Sequence, residues 1–189
     1  MVTTPSEMLL VKAERVDKFD KKLRDIVHEM QETLDATTDP IGVGLAAPQV
    51  GISKRIFLAK PKDGPANVFI NPEITPTENG EEVPHFTNSA KVEAHKPKKS
   101  KGRLLEGCLS VPNIWGNVSR KKKVKVSYQD ITGKHHTKIF TGFPAIIIQH
   151  ELDHLDGILF TKHVLSQGET LYRSFKNDAG EDEFEEIEV

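Results

Sequence analysis

No stretch of this sequence leaves the fold fewer choices than GFPAIIIQHELDHLDG, Gly142–Gly157. Pro144 suits the first turn of a helix and Gly157 its end, so a helix of about three turns is expected between them. The run Ile146–Ile148 has no polar member, so this helix has to be buried. Yet His150, Glu151 and His154 follow at once, and a buried ionisable cluster without partners is costly. Either two ordinary histidines find partners in the protein or a metal ion resolves the cost. A spacing of four puts His150 and His154 on one helix face with β-carbons about 6 Å apart, close enough to share an ion. Glu151 sits about 100° round the helix, placed to reach water at that ion rather than the ion itself.

A catalytic metal site needs a third protein ligand and an open position. The single cysteine, Cys108 in EGCLSVP, is the candidate; its other readings are an apolar filler or a nucleophile. Gly107 before it and Ser-Val-Pro after it suggest backbone exposed at the edge of a cleft. A thiolate would cancel one of the ion's two charges. General-base help and oxyanion donors then matter more than in an all-histidine site.

At 189 residues the chain fits one domain, 1–189. Phe19, Leu23, Ile26, Val27, Met30 and Leu34 recur at helical spacing, which predicts an amphipathic helix from Asp17 to about Thr38. IGVGLAAPQVG, Ile41–Gly51, reads as a Gly-rich loop, and RIFLA and NVFINPEI as strands. From Thr77 to Leu105 the chain turns polar and basic, as in an exposed insertion. Val124–Tyr128 and Lys138–Phe140 flank DITGK as a hairpin. From Asn177 onward acidic residues dominate, which predicts a frayed or loosely docked end. The fold class is therefore α+β: small mixed or antiparallel sheets around a central buried helix carrying H-E-x-x-H, with an N-terminal amphipathic helix.

The formal charge of −2 gives no global reason to expect a specific nucleic-acid or membrane partner. The first residues lack the apolar core of a signal peptide, and no run of about 18 apolar residues occurs, so a cytoplasmic monomer is expected.

GVGLAAPQ (Gly42–Gln49), EGCLS (Glu106–Ser110) and QHELDHLDG (Gln149–Gly157) resemble, in sequence order, the three signature motifs of peptide deformylases. The resemblance runs from about Asp17 to Val164. It implies Cys108, His150 and His154 as ligands of one divalent ion, Fe2+ in the cell, with Zn2+, Ni2+ or Co2+ able to replace it. It implies Glu151 as general base and then proton donor to the leaving amine. Gln49 and the backbone N–H of Leu109 would hold the oxyanion. The substrate would be an N-formyl-methionyl peptide and the product formate. Gly42 and Gly44 read as places where a substrate backbone approaches closely. Glu106 and Gly107 would flank the cleft, and Val43, Phe143 and Ile147 would line the methionine pocket, though all three also suit a plain core. Glu106 and Arg120 are candidates for a charged pair, against a solvated surface role for Arg120.

Bacterial members often end in a basic helix that docks on the ribosome, whereas this chain ends in EDEFEEIEV. Transient ribosome contact is left open. Two other readings stand beside deformylation. A zinc endopeptidase would take its third ligand downstream, where His163 is the candidate but lacks the accompanying glycine pattern. A noncatalytic metal-stabilised module contacting RNA or ribosome would need four protein ligands, where three are evident.

Overall fold

The computed structural model describes residues 1–60, 64–76 and 105–188. The stretch from Thr77 read above as a basic insertion lies outside the described residues up to Leu104. Among the described residues, two antiparallel sheets form. One has the strand order β1 (Gly44–Ala46), β2 (Ile56–Ala59), β3 (Asn67–Thr75), β6 (Lys123–Gln129) and β7 (His135–Thr141). The other has β4 (Leu105–Cys108), β5 (Val111–Asn117), β8 (Leu171–Lys176) and β9 (Asp182–Ile187). β1 and β4 are thus each the edge strand of a sheet. No helix of the described residues is long and apolar enough to cross a membrane.

The five-stranded sheet is covered on both faces, and the alternation along β2 shows how. Ile56 and Leu58 pack with Leu23, Val27, Met30 and Leu34 of α1 (Lys21–Asp35), while Phe57 packs with Ala145, Ile148, Leu152 and Leu155 of α2 (Phe143–Leu155). Each fully buried Leu, Ile or Phe of this kind contributes about 1.5–3 kcal/mol. Asp20 caps α1 by accepting from the Leu23 N–H at 3.1 Å. Gly157, at φ 71°, follows α2 in a left-handed turn in which its N–H donates to His154 O and that of Ile158 to Asp153 O. A shorter helix, α3 (Phe160–Ser166), seats Phe160 and Val164 against Val111 and Leu171 of the four-stranded sheet.

Three segments differ from expectation. Ile41–Gly51 is not simply a loop: it contains β1 and a 3-10 turn, Ala47–Val50. Leu45, Ala46 and Ala47 are fully buried, so their backbone groups must be paired, and β2 supplies partners. The acidic end is a strand, β9, with Arg173 on Glu185 and Lys176 on Asp182 across the hairpin. Its ladder bonds are main-chain bonds, which acidic side chains do not prevent. β5 contains Pro112 and Gly116, which hide it from a strand pattern, yet it pairs with both β4 and β8.

Long-range backbone bonds tie the chain's beginning to the parts that matter below. The Val2 N–H donates to Gln49 O at 2.7 Å, Thr4 to Ser110 O at 2.9 Å, and Ala13 to Leu155 O at 2.8 Å. Asn71, buried at φ 49° in the β3 bulge, bonds both the N–H and the carbonyl of Val16 at 2.8 Å.

Candidate active site

The buried helix α2 brings His150, Glu151 and His154 to one side, and the end of β4 brings Cys108 to meet them. One donor atom from each of Cys108, His150 and His154 lies within 4.8 Å of the others. Cys108 Sγ is 3.1 Å from His154 Nε2, and the two imidazole centroids are 5.0 Å apart. Among the described residues this is the group able to hold a metal ion. His163, the ligand a peptidase reading would need, lies instead 2.9 Å from Asp153 Oδ2.

Burial drives His154 well below its ordinary pKa, which keeps it the neutral ring that a metal requires. Burial pushes His150 down as well, but hydrogen bonds to Cys108 and Glu106 outweigh it and raise the ring well above its usual value. His150 Nδ1 is 3.2 Å from Glu106 Oε2, which leaves Nε2 as its other ring donor. Such carboxylate–histidine pairs fix a ligand's tautomer and orientation.

Arg120 is no surface residue: it is 5% exposed and grips Glu106 with two bonds, 2.8 and 2.9 Å, and Asp153 with a third, 2.6 Å. Burial alone would raise the Glu106 carboxyl, but the bonds from Arg120 and His150 hold it at about 2. Asp153 had no sequence signal of its own beyond lying three residues after His150, which keeps it about 60° away on the adjoining face of α2.

Glu151 is 4% exposed, and burial pushes its carboxyl up to about 7. Its Oε2 has no hydrogen-bond partner among the described residues. The carboxyl lies in a notch left by Gly44, where a Cβ would come within 2.2 Å of Oε1. At Gly42 a Cβ would come within 2.8 Å of Leu34 and Thr37. At both positions the protein's own side chains fill the space beside the glycine. Gly107 is likewise held bare by the Trp115 ring.

Gln49 is 2% exposed, and its Oε1 accepts the Ala46 N–H at 2.7 Å. That bond settles which end of the amide faces the cluster: Nε2 points at Ser110 Oγ, 3.2 Å, and Cys108 Sγ, 3.6 Å. Ser110, fully buried, was not singled out from sequence; its place two residues after Cys108 was the available signal. Leu109 lies in the turn between Cys108 and Val111. Val43 and Phe143 are 39% and 49% exposed, and Ile147 is buried on α2.

Residues 1–170 match the family model of polypeptide deformylases. The chain belongs to the peptide deformylase family. A peptide deformylase of Symbiobacterium thermophilum is 39% identical over 189 residues, spanning 99% of this chain and 74% of that one. Peptide deformylase 1 of Bacillus subtilis is 38% identical over 165 residues, 87% of this chain and 88% of that one. A Plasmodium falciparum peptide deformylase, solved in complex with an inhibitor, superposes with a TM-score of 0.68 at 36% identity over 86% of each chain. The activity of this deformylase is metal-dependent hydrolysis of an N-terminal formyl group from a formylated peptide. Its α+β fold of antiparallel sheets and helices is that of solved deformylases.

Proposed function

We propose that Cys108, His150 and His154 hold one divalent ion and that Glu151, Gln49 and the Leu109 N–H remove the formyl group of N-formyl-methionyl peptides around it. The observation that carries this reading is the convergence of one sulfur and two ring nitrogens within 4.8 Å, beside a buried carboxyl near 7. Sulfur and His154 Nε2 face each other at 3.1 Å, the kind of close donor pair a cation relieves. When bound, the ion supplies Lewis-acid polarisation of water and of the formyl oxygen.

Glu151 takes the proton from the attacking water and returns it to the leaving nitrogen, so that formate and a free amino terminus depart. The Gly44 notch fixes the carboxyl for this transfer. Gln49, its oxygen engaged by Ala46, offers Nε2 to the developing oxyanion together with the Leu109 N–H. Donors of this kind contribute about 3–4 kcal/mol each.

Among the described residues no strand pairs with the outer edges of β1 and β4, which suit an extended peptide, with main-chain groups near Gly42, Gly44, Glu106 and Gly107 along it. The Glu106 side chain is committed to Arg120 and His150, so its part in substrate binding is through the backbone. Half-exposed Val43 and Phe143, with Ile147 beneath, receive the methionine side chain.

Likeness to the family points to Fe2+ in the cell, with Zn2+, Ni2+ or Co2+ as substitutes that thiolate and imidazole donors also take. The chain works as one catalytic domain built round α2, a cytoplasmic monomer meeting the ribosome at most transiently. The test is formate release from formyl-Met-Ala-Ser by the iron- or nickel-loaded protein, with Glu151→Ala beside it. Retained metal with lost turnover is expected of the variant; undiminished turnover excludes Glu151 as the base.

A further inference from the structure

We propose that a hollow behind α2, on the side turned from the metal ligands, binds a small organic phosphate. The hollow has a volume of about 740 Å³ and lies between the chain before α1, the end of β3, the approach to β6, α2 and α3. That volume is of the size that small-molecule sites have. Successive helical residues turn by about 100°, so Gln149, Leu152 and Asp153 take the arc of α2 that Glu151 and His154 leave, and Asp156 follows as its C-cap. The formylated peptide has no part in this hollow.

Its lining carries five cations, Lys12, Arg15, Arg55, Arg120 and Lys121, against three carboxylates. Each carboxylate is already matched. Glu73 is held by Arg15, Asp156 by Arg55 at 2.7 Å and Asp153 by Arg120 at 2.6 Å. Glu106, behind Arg120, is shared with His150. Two ammonium groups are left over. Lys12 stands 3.8 Å from the Asp156 oxygen that Arg55 holds, and its side chain is 75% exposed. Lys121 is in no ion pair among the described residues; its backbone N–H donates to the Gln149 side-chain oxygen, which leaves the ammonium group to the hollow. In a chain of net charge −2, surplus positive charge gathered on a concave surface selects anions.

The two spare ammonium groups belong to different elements, one before α1 and one before β6, so they suit an anion that accepts from several directions at once. A phosphate does so with three oxygens. The lining is also partly apolar. Ala13 and Leu152 are buried there, while Ile74 is 43% exposed and would gain by being covered. A phosphate carried on an apolar body therefore fits better than inorganic phosphate.

The probe is phenyl phosphate, titrated by calorimetry into the full nickel-loaded chain at low salt, with inorganic phosphate in parallel. One-to-one binding in the millimolar range or tighter is expected, with inorganic phosphate weaker by about fivefold or more. Lys12→Glu and Lys121→Glu should each weaken phenyl phosphate by about fivefold or more. Lys138→Glu, a reversal on the exposed edge strand β7, should leave it unchanged. Removing nickel should also leave it unchanged, because the metal ligands face elsewhere on α2. The proposal is overturned by no saturation up to about 10 mM, by inorganic phosphate binding as tightly, by equal loss from Lys138→Glu, or by dependence on nickel. The last two would place the anion on diffuse surface charge or on the metal. None of these outcomes touches the deformylation reading.

Discussion

Glu151 ties chemistry to stability through one carboxyl. Burial raises its pKa in the folded protein from the usual 4.5 to about 7, so the metal-free fold favours the protonated form. Stability from this group is therefore complete below 4.5 and lost as pH rises through 7, in all about 3 kcal/mol. Glu106 runs the other way: its folded value near 2 gives stability that is present above 4.5 and lost as pH falls toward 2. Between pH 5 and 8 the denaturant midpoint of the metal-free protein should therefore fall relative to that of Glu151→Gln, and parallel pH profiles would contradict the burial argument. A bound cation favours the carboxylate, so the acid limb of kcat/KM for the loaded enzyme should lie below pH 7 with unit slope. Gly44→Ala addresses the same group sterically, since its methyl would overlap Glu151 Oε1. Turnover should fall about 100-fold with metal content unchanged; near-normal turnover would mean that the notch does not position the base. The convergence of Cys108, His150 and His154 was legible because metal-ligand chemistry calls for particular side chains at particular spacings. The notch was not, because Gly44 and Glu151 meet only through the fold.

At the level of elements, periodicity exposed α1 and β6, which hide one face and show the other, the turn residues of DITGK exposed the β6–β7 hairpin, and α2, buried nearly all round, was betrayed by Pro144, Gly157 and its run of isoleucines. β4, β5, β8 and β9 escaped it. β5 carries Pro112 and Gly116, and β9 is DEFEEI, so their pairing comes from partners far along the chain rather than from local pattern. The bulge in β3 is another such element. Asn71 there satisfies both backbone groups of Val16 and holds the approach to α1 against the sheet. Asn71→Ala removes both bonds and leaves buried groups unpaired, so it should cost about 2–3 kcal/mol in unfolding free energy. A change below about half a kcal/mol in a denaturant titration would show that water replaces the side chain there.

Across the whole molecule, Arg120 joins parts that share no strand: Glu106 comes from the four-stranded sheet, and Asp153 and His150 from the helix on the five-stranded one. Arg120→Met would strand two carboxylates, one of them deeply buried, and should cost about 3–5 kcal/mol. Losing the support of His150 should also speed metal loss to a chelator by about 10–100-fold. A variant unchanged in both melting and metal release would reduce Arg120 to a bystander.

The bonds from Val2 to Gln49 and from Thr4 to Ser110 make the first few residues a tether across the 3-10 turn that bears Gln49 and the turn that follows Cys108. A chain trimmed of its first four residues would keep both cores and yet hold Gln49 and the turn after Cys108 less firmly. Warming would then slacken the catalytic geometry well before either sheet came apart.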